Sequence, residues 1–454
     1  MSLPNLIFDF PKIAINHSIN WTRLNMVYYS IYLEAFRQSL NKIKENHEQF
    51  YNDFVSELDK EFDHQLRKSH FTETLSSYMD SFVDVRAQMR KIGMPVEFFD
   101  IMSYEAKKKV LDSAVLMLEK NKYETPSEVV YRRGKIRLLH YLNENKNSIP
   151  IMLVYAQINH FDLMDINYEK SVVRNLTSLG LDVYVLDWGY QGREDDHHSL
   201  HDYINFLNEA TLALKERTGL EKIPIIGYCW GGLLSLIYTT LYKQNVESLV
   251  LIAAPVNFNK DNSLITTWVK AVDADRIIDE FGHIDGNMLD YAFMMRNPHR
   301  NLVDKYLKLF KSINDLRFME NFFEVERWLY NTPPIPGKMY RQIVNDLYKN
   351  NLLVENKLKV GDKIVNLKEV DIPLFVAVSE KDDLVSPEST LAIKDCVSSK
   401  DISEIRISGG HVGLIISKSS HEKLWPKITK WILEKNIKKS VKSKKDNEKS
   451  ILTA

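Results

Sequence analysis

Apolar residues in the first quarter of the chain recur at helical spacing. Two stretches carry such a stripe, with polar residues on the opposite face. The stripes consist of Trp21, Leu24, Tyr28 and Tyr32, followed by Tyr51, Val55, Leu58, Phe62 and Leu66. Gly93 is the only glycine before residue 130, so residues that break helices are scarce in this part. The pattern predicts an N-terminal helical region over residues 1–125.

Two interpretations of the N-terminal stripes stay open. The stripes either pack against the rest of the chain, or they form an interaction arm for a partner subunit, a second copy or an apolar particle. The second interpretation is favoured by a high density of aromatic residues, namely Trp21, Tyr28, Tyr29, Tyr32 and Phe36.

From residue 129 onward, short β-rich runs alternate with segments of helix length. Residues 128–142 alternate between apolar and polar side chains, which is typical of a half-exposed strand pair. Continuous runs of valine, isoleucine and leucine predict buried strands at residues 149–156, 181–188, 222–228, 246–254, 371–378 and 403–408. Because strands alternate with helices, we expect an α/β domain over residues 126–435, with a mostly parallel sheet covered on both faces.

Residues 259–370 interrupt this alternation. Their pattern is mostly helical, and they contain many aromatic residues and methionines: Trp268, Tyr291, Phe293, Met294, Phe310, Phe318, Phe322, Phe323 and Trp328. A long insertion over the C-terminal edge of a parallel sheet is suited to cap an active site. A second packing layer without a function of its own is the alternative.

Composition and charge exclude several classes of protein. Because 60 Lys and Arg balance 61 Asp and Glu, the chain as a whole is not attracted to nucleic acid or anionic membranes. Two cysteines are too few for a disulfide framework or a Cys-based zinc site, and they fit a reducing compartment. We expect a cytoplasmic protein without a transmembrane segment, since neither a signal-peptide pattern nor an apolar run of spanning length is present. The Lys-rich residues 436–454 are predicted to be a disordered tail.

The most informative motif is Gly227-Tyr228-Cys229-Trp230-Gly231-Gly232, where a predicted strand ends and a helix begins at once. It has the form G-x-C-x-G and corresponds to the G-x-S-x-G turn that exposes a nucleophile between a strand and a helix. A thiol replaces the hydroxyl, and the start of the helix favours its thiolate form. We expect Cys229 to be a nucleophile and the backbone N–H of Trp230 to face a developing oxyanion.

Two later loops can supply the partners of Cys229. Asp382 and Asp383 follow the strand predicted at 371–378, and His411 follows the strand at 403–408 between glycines. The order nucleophile, acid, histidine is that of an α/β-hydrolase triad, in which either carboxylate could orient the histidine. A second oxyanion donor is expected after an earlier strand, and the Ile158 N–H is our candidate.

Three further histidines form a cluster, His197, His198 and His201. Because they lack suitably spaced thiolate or carboxylate partners, we interpret them as loop and helix-start residues and expect no metal site. The predicted chemistry is acyl transfer through a thioester on Cys229, with His411 as the base and Asp382 as its orienting acid. Thiolates exchange readily with thioesters, so an acyl-CoA is the expected substrate, and no cofactor is expected.

Several blocks of the chain resemble the catalytic subunits of polyhydroxyalkanoate synthases, most of all the short class III type. They are TPSEVVYRRGKIRLLHY, PIMLVYA followed by QIN, VLDWGYQGRED, GYCWGG, ERWLYNTPPIPGKMYRQIVNDLY, SEKDDLVSP and SGGHVG, collinear over residues 125–435. The resemblance implies an α/β-hydrolase fold and the polymerisation of (R)-3-hydroxyacyl-CoA, with 3-hydroxybutyryl-CoA as the expected monomer and CoA as the released product.

The resemblance also implies roles for particular residues. Cys229 matches the family nucleophile, His411 the base and Asp382 the acid, while Asp383 stands where the family usually has histidine. Trp328 matches the cap region and is expected to lie near the substrate entrance. The family further implies a cytoplasmic enzyme at the surface of polyester granules, a homodimer, and a helical partner subunit.

The N-terminal helical region is longer than in the synthases that the chain resembles most, which leaves its role open. It can replace a partner subunit, bind one, form a dimer or touch the granule. Two other functions compete with the synthase: a thioesterase or depolymerase of the same fold that passes the acyl group to water, and a non-catalytic interaction protein. The intact Cys, His and Asp argue against the last, and the matching blocks argue against hydrolysis.

Overall fold

The computed structural model of the chain describes residues 3–42, 50–91, 125–143, 148–297 and 315–436, together with residues 300, 301, 305, 308 and 312. The chain divides into two compact units. The first unit combines Met1–Leu118 with Leu264–Tyr330, and the second combines Glu119–Ser263 with Asn331–Ala454. Within the described residues, no helix has both the length and the apolarity needed to cross a membrane.

Helices and strands alternate along most of the described chain. The helices are α1 Leu3–Lys42, α2 Phe50–Lys68, α3 Phe71–Lys91, α4 Val172–Ser178, α5 Leu200–Thr218, α6 Trp230–Tyr242, α7 Leu264–Ala271, α8 Ala274–Phe281, α9 Gly286–Met295, α10 Leu316–Leu329, α11 Gly337–Gln342, α12 Pro387–Leu391, α13 Ile393–Cys396, α14 Gly413–Ile416 and α15 at residues 425–436. The strands of the main sheet are β1 Ser127–Arg133, β2 Ile136–Tyr141, β3 Ile149–Val154, β4 Leu181–Asp187, β5 Ile223–Tyr228, β6 Val246–Ile252, β7 Leu374–Ser379 and β8 Ile402–Ile407.

The second unit is built on this eight-stranded sheet, whose order is β1-β2-β4-β3-β5-β6-β7-β8. β1 pairs antiparallel with β2, and β2 pairs antiparallel with β4; the remaining pairs are parallel. Helix α4 packs on β4, and α6 packs on β5 and β6. The predicted α/β class is thereby confirmed, as is the strand pair within residues 128–142.

Burial explains why these runs form strands. All six residues of β5 are buried, as are all six of β7, which is why the runs are apolar throughout rather than alternating.

The ends of helices and strands set the position of the loops. Helix α5 ends at Gly219, which adopts a left-handed conformation and donates its N–H to the Lys215 carbonyl at 2.8 Å. Because β3, β5, β6, β7 and β8 run parallel, their C-terminal ends lie at one edge of the sheet, and the loops that follow them carry the candidate site.

The first unit has its own apolar core. Its buried members come from α1, α2, α3 and α7: Leu24, Ile31, Ala35, Leu58, Phe62, Leu66, Phe71, Leu264 and Trp268. The rings of Phe71 and Trp268 lie 5.8 Å apart. Arg276 of α8 forms ion pairs with Asp80 and Asp84 of α3. Helices of the predicted cap insertion thus share one core with the N-terminal helices.

The two interpretations of the N-terminal stripes both find support in burial. Leu24, Leu58, Phe62 and Leu66 are buried, whereas Trp21 and Phe36 remain 39% and 37% exposed. The side chains of Tyr28, Tyr29, Tyr51 and Val55 lie outside the described residues. The boundaries 1–125, 126–435 and 259–370 stay predictions, and nearly all of the predicted tail at 436–454 lies outside the described residues.

Candidate active site

Cys229 occupies a strained turn between β5 and α6. Its φ is 52° and its ψ is −125°, a conformation that residues with a side chain rarely adopt. Two backbone hydrogen bonds hold the turn: the Cys229 N–H donates to the Ile252 carbonyl at 2.9 Å, and the Leu233 N–H donates to the Cys229 carbonyl at 3.1 Å. The thiol is therefore fixed at the C-terminal edge of the sheet.

The glycines around Cys229 are required by close backbone contacts. A Cβ on Gly227 would lie 2.5 Å from the Cα of Gly232. A Cβ on Gly231 would collide with the Val154 carbonyl oxygen and lie 2.5 Å from the carbonyl oxygen of Tyr155. Because these obstacles are backbone atoms, they cannot move aside as a flexible side chain would. The motif's glycines thus allow the turn to pack on β3.

His411 and Asp382 form a buried pair in the loops after β8 and β7. The side chains are 6% and 1% exposed, and His411 Nδ1 lies 2.7 Å from Asp382 Oδ2. The other carboxylate oxygen of Asp382 accepts the N–H groups of Leu384 at 3.0 Å and Val385 at 2.9 Å. With a carboxylate at this distance, Nδ1 carries the proton, and Nε2 is left for the reaction.

The imidazole of His411 also interacts with the Cys229 thiol. Burial by itself would lower the pKa of His411, but the negative charges of Asp382 and Cys229 outweigh it and raise the pKa to about 10. Protonated His411 is therefore favoured at neutral pH. A cysteine and a histidine in contact form the pair that nucleophilic catalysis by sulfur requires.

Two buried tyrosines support the histidine. The ring of Tyr228 lies 5.0 Å from the His411 imidazole, and its hydroxyl donates to the His411 carbonyl at 3.3 Å. Tyr155 stacks on Tyr228 with ring centroids 5.4 Å apart. Burial raises the pKa of Tyr228 well above its usual value, so the hydroxyl stays protonated and able to donate.

The loop after β3 contributes a second set of groups at the same edge. Asn159 has a positive φ of 62°, and its Oδ1 accepts the Thr332 hydroxyl. This loop borders a small pocket that is lined by Ala156, Gln157, Asn159, His160, Phe161, Asp187, Trp188, Gly189 and Pro333. Trp188 donates its indole N–H to the Tyr155 carbonyl at 2.8 Å, which ties the loops after β3 and β4 together.

Comparison with known proteins places these features in a family. Residues 149–416 match a family model described as alpha/beta hydrolase fold, and residues 20–176 match one described as the poly-beta-hydroxybutyrate polymerase (PhaC) N-terminus. A poly(3-hydroxyalkanoate) polymerase subunit PhaC of Allochromatium vinosum is 32% identical over 351 residues, which cover 76% of this chain and 95% of that protein. The chain belongs to the poly(3-hydroxyalkanoate) polymerase family.

Other members of the polymerase family match at similar levels. The PhaC subunit of Haloarcula marismortui is 36% identical over 325 residues, covering 69% of this chain and 68% of that protein. The PhaC subunit of Synechocystis is 35% identical over 321 residues, covering 68% of this chain and 85% of that protein. The family predicted from the sequence blocks is thereby confirmed.

The structure brings three of the predicted polymerase residues together and leaves others apart. Cys229, His411 and Asp382 lie within one site, and the carboxylate on His411 is that of Asp382 rather than Asp383. Trp230 is the first residue of α6, where backbone N–H groups have no partner within the helix. Trp328 is buried in α10, which belongs to the first unit.

The three clustered histidines lie where the sequence predicted them. His197 and His198 lie in the loop before α5, and His201 lies in its first turn. Within the described part of the chain, no group of three or more His, Cys, Asp or Glu side chains is arranged to hold a metal ion. The sequence pattern indicated no role for Tyr155 or Tyr228, although Tyr228 stands at the first x of the G-x-C-x-G motif.

Proposed function

We propose that this chain is the catalytic subunit of a polyester synthase that polymerises (R)-3-hydroxyacyl-CoA, with 3-hydroxybutyryl-CoA as the expected monomer, and releases CoA. The observation that carries the proposal is the buried His411–Asp382 pair beside a cysteine in a strained strand-to-helix turn. Membership of the polymerase family supports this reaction over others that the fold can perform.

In the first step, the Cys229 thiolate attacks the carbonyl carbon of the acyl-CoA. A carbon–sulfur bond to Cys229 forms, and the bond to the CoA sulfur breaks. His411, protonated at neutral pH, gives its Nε2 proton to the departing CoA thiolate. We assign the stabilisation of the tetrahedral oxyanion to the backbone N–H groups of Trp230 and Ile158.

In the second step, His411 acts as a base. Now neutral, it accepts the proton of a 3-hydroxyl group whose oxygen attacks the acyl group on Cys229. An ester bond forms, the bond to sulfur breaks, and the thiolate–imidazolium pair is restored. Asp382 holds the Nδ1 proton throughout, because its other oxygen is fixed by two backbone N–H groups.

Several parts of the proposal concern the surroundings of the site. We assign residues 259–370 the role of a cap, with Trp328 beside the path of the substrate. We further propose a homodimer, a helical partner subunit bound through the N-terminal region, and a cytoplasmic location at the surface of the growing polyester. The exposed Trp21 and Phe36 support such a contact, because apolar surface of this kind favours a partner or an apolar particle.

The test is turnover of purified protein with (R)-3-hydroxybutyryl-CoA. Released CoA is measured with a thiol reagent, and insoluble polymer is collected by centrifugation. We expect both products from the native chain and from Cys396→Ala, whose cysteine lies in α13 away from the motif, and neither from Cys229→Ala.

Other results would support the competing functions. Release of CoA with only free 3-hydroxybutyrate would indicate a thioesterase or depolymerase. No release, even after addition of a helical partner subunit, would indicate a non-catalytic interaction protein.

A further inference from the structure

The pocket beside the loop after β3 adjoins the nucleophile turn. Strand β3 pairs with β5, which ends one residue before Cys229. The carbonyl oxygen of Tyr155, just past β3, lies where a Cβ on Gly231 would come within 2.5 Å. Gln157 follows two residues later and lines the pocket. The loop that lines the pocket therefore begins at the residue that packs against the nucleophile turn.

The side chain of Gln157 is a buried amide. It is 5% exposed, and neither its Nε2 nor its Oε1 has a hydrogen-bond partner in the part of the chain that the structure describes. Buried polar atoms are almost always satisfied, so a group of this kind calls for a partner that enters the pocket. An amide offers two donors and an acceptor at once.

The other polar side chains of the pocket are already engaged. Asp187 accepts two hydrogen bonds from Arg137, at 2.8 and 2.6 Å, and one from the Gly189 N–H at 2.8 Å. His160 Nδ1 lies 3.0 Å from Asp162 Oδ2. Asn159 accepts the Thr332 hydroxyl. Among the described residues that line the pocket, Gln157 is thus a side chain whose nitrogen and oxygen both lack a hydrogen-bond partner.

We propose that the Gln157 carboxamide binds the oxygen on C3 of the acyl group and thereby selects 3-hydroxyacyl thioesters over plain acyl thioesters. This inference rests on the proposed function. The position of Gln157 supports this role. The next residue, Ile158, supplies the proposed N–H for the thioester carbonyl oxygen of the substrate. The C3 oxygen of the same acyl group is carried by the second carbon after the carbonyl carbon. A neighbouring side chain with unpaired polar atoms is suited to meet it.

The chemistry of an amide fits both states of this oxygen. In the free monomer the C3 oxygen is a hydroxyl, which donates to Oε1 or accepts from Nε2–H. Once esterified in the growing chain, it has lost its proton but still accepts from Nε2–H. Gln157 is uncharged at all working pH values, so it does not compete with His411 for the proton that moves in the reaction.

The test compares two substrates in a single turnover. Purified enzyme is mixed with (R)-3-hydroxybutyryl-CoA or with butyryl-CoA, which can acylate Cys229 but has no hydroxyl with which to elongate. The first equivalent of released CoA is followed for the native chain and for Gln157→Leu. The matched control is Gln191→Leu, because Gln191 is an equally buried glutamine, 4% exposed, in the loop after β4 but outside the pocket lining.

We expect the native enzyme to favour the hydroxylated substrate by at least about tenfold, because a site built to bond a hydroxyl rejects the analogue that lacks it. Gln157→Leu should slow acylation by the hydroxylated substrate about 10- to 100-fold and leave butyryl-CoA within about threefold, so the preference collapses. Gln191→Leu should keep the native ratio. A defect in packing alone would slow both substrates together.

Two results would overturn the inference: a native enzyme that acylates equally well with both thioesters, or a Gln157→Leu variant that loses rate equally with both. If Gln157→Leu does not fold, Gln157→Met is used in its place. The native enzyme alone also tests the inference, because a ratio near one between its acylation rates with the two thioesters contradicts it. Failure of the proposed function looks different, because the native enzyme would then release no CoA from either substrate or would form no polymer.

Discussion

The Nδ1 atom of His411 lies 2.7 Å from Oδ2 of Asp382, and this bond joins two loops that are separated by strand β8. The adjacent Asp383 also has a carboxylate, so substitutions at Asp382 and Asp383 can test which of them is the catalytic acid. Asp382→Asn keeps the shape but removes the charge that orients the imidazole and stabilises its cation. We expect a loss of about 10³- to 10⁴-fold in the rate of CoA release, measured in a single turnover.

The neighbouring residue is the control for this substitution. Asp383→Asn should change the same rate by less than about threefold, since most substitutions away from the reacting groups have small effects. If Asp383→Asn abolished CoA release and Asp382→Asn did not, the proposed acid would be the wrong one.

The pH dependence of stability should report the charge on His411. Its pKa is raised from 6.5 to about 10 in the folded protein, after the opposing effect of burial, by Asp382 and Cys229. A raised pKa stabilises the fold fully below about pH 6.5, and this contribution is lost as the pH rises through about 10. The urea midpoint of the native chain should therefore exceed that of His411→Gln by more at pH 6.5 than at pH 10. A difference that stays constant or grows with pH would contradict the raised pKa.

The backbone contact of the nucleophile turn predicts a large effect at Gly231. Gly231→Ala places a methyl group against the carbonyl oxygens of Val154 and Tyr155. We expect a loss of about 3 kcal/mol or more in the free energy of unfolding, measured by urea denaturation, because fixed backbone atoms must shift.

Gly413→Ala is the matched control for Gly231. Apart from its chain neighbours and its own helix, no described atom lies within 4 Å of a Cβ placed on Gly413, and the residue begins helix α14. The free energy of unfolding should change by less than about 1 kcal/mol, since alanine is favoured in helices. Equal losses in both variants would show that the turn does not depend on close packing.

The core of the first unit predicts a difference between two tryptophans. Trp268 is buried against Phe71, whereas Trp21 is 39% exposed. Trp268→Ala should destabilise this unit by about 3–5 kcal/mol, and Trp21→Ala by about 1 kcal/mol or less. Hydrogen exchange of the amides in α2 and α3 measures the local stability. Similar exchange in the two variants would contradict the shared core.

Local sequence signals were enough to predict the sheet and the nucleophile turn. Strands β3 to β7 are mostly apolar and largely buried, whereas β8, which was predicted to be buried, has only Ile407 buried among its six residues. Gly227 and Gly232 are five positions apart and their backbones meet, so the spacing of these glycines indicates the turn directly. The order of Cys229, Asp382 and His411 along the chain follows from the parallel strands that carry them. The matching blocks then identified the family.

Other features depend on contacts that no local pattern encodes. The hydroxyl of Ser76 donates to the carbonyl of Ala271, 195 residues away, and the grouping of α7 with α1–α3 rests on contacts of this kind. The orientation of Asp382 towards His411 depends on a turn in which the N–H groups of Leu384 and Val385 hold one of its oxygens. The unpaired amide of Gln157 could be found only once the loops around it were placed.

The strain at Cys229 has a consequence for how such enzymes can diverge. The close contacts of the turn fall on Gly227, Gly231 and Gly232, while the side chain of Cys229 is only partly buried. Cys229→Ser replaces the sulfur by oxygen and therefore leaves the packing contacts of the turn unchanged. The turn can therefore hold a thiol or a hydroxyl without a change in its fold, whereas the reaction cannot exchange them as freely, because an alcohol needs a neutral histidine to take its proton.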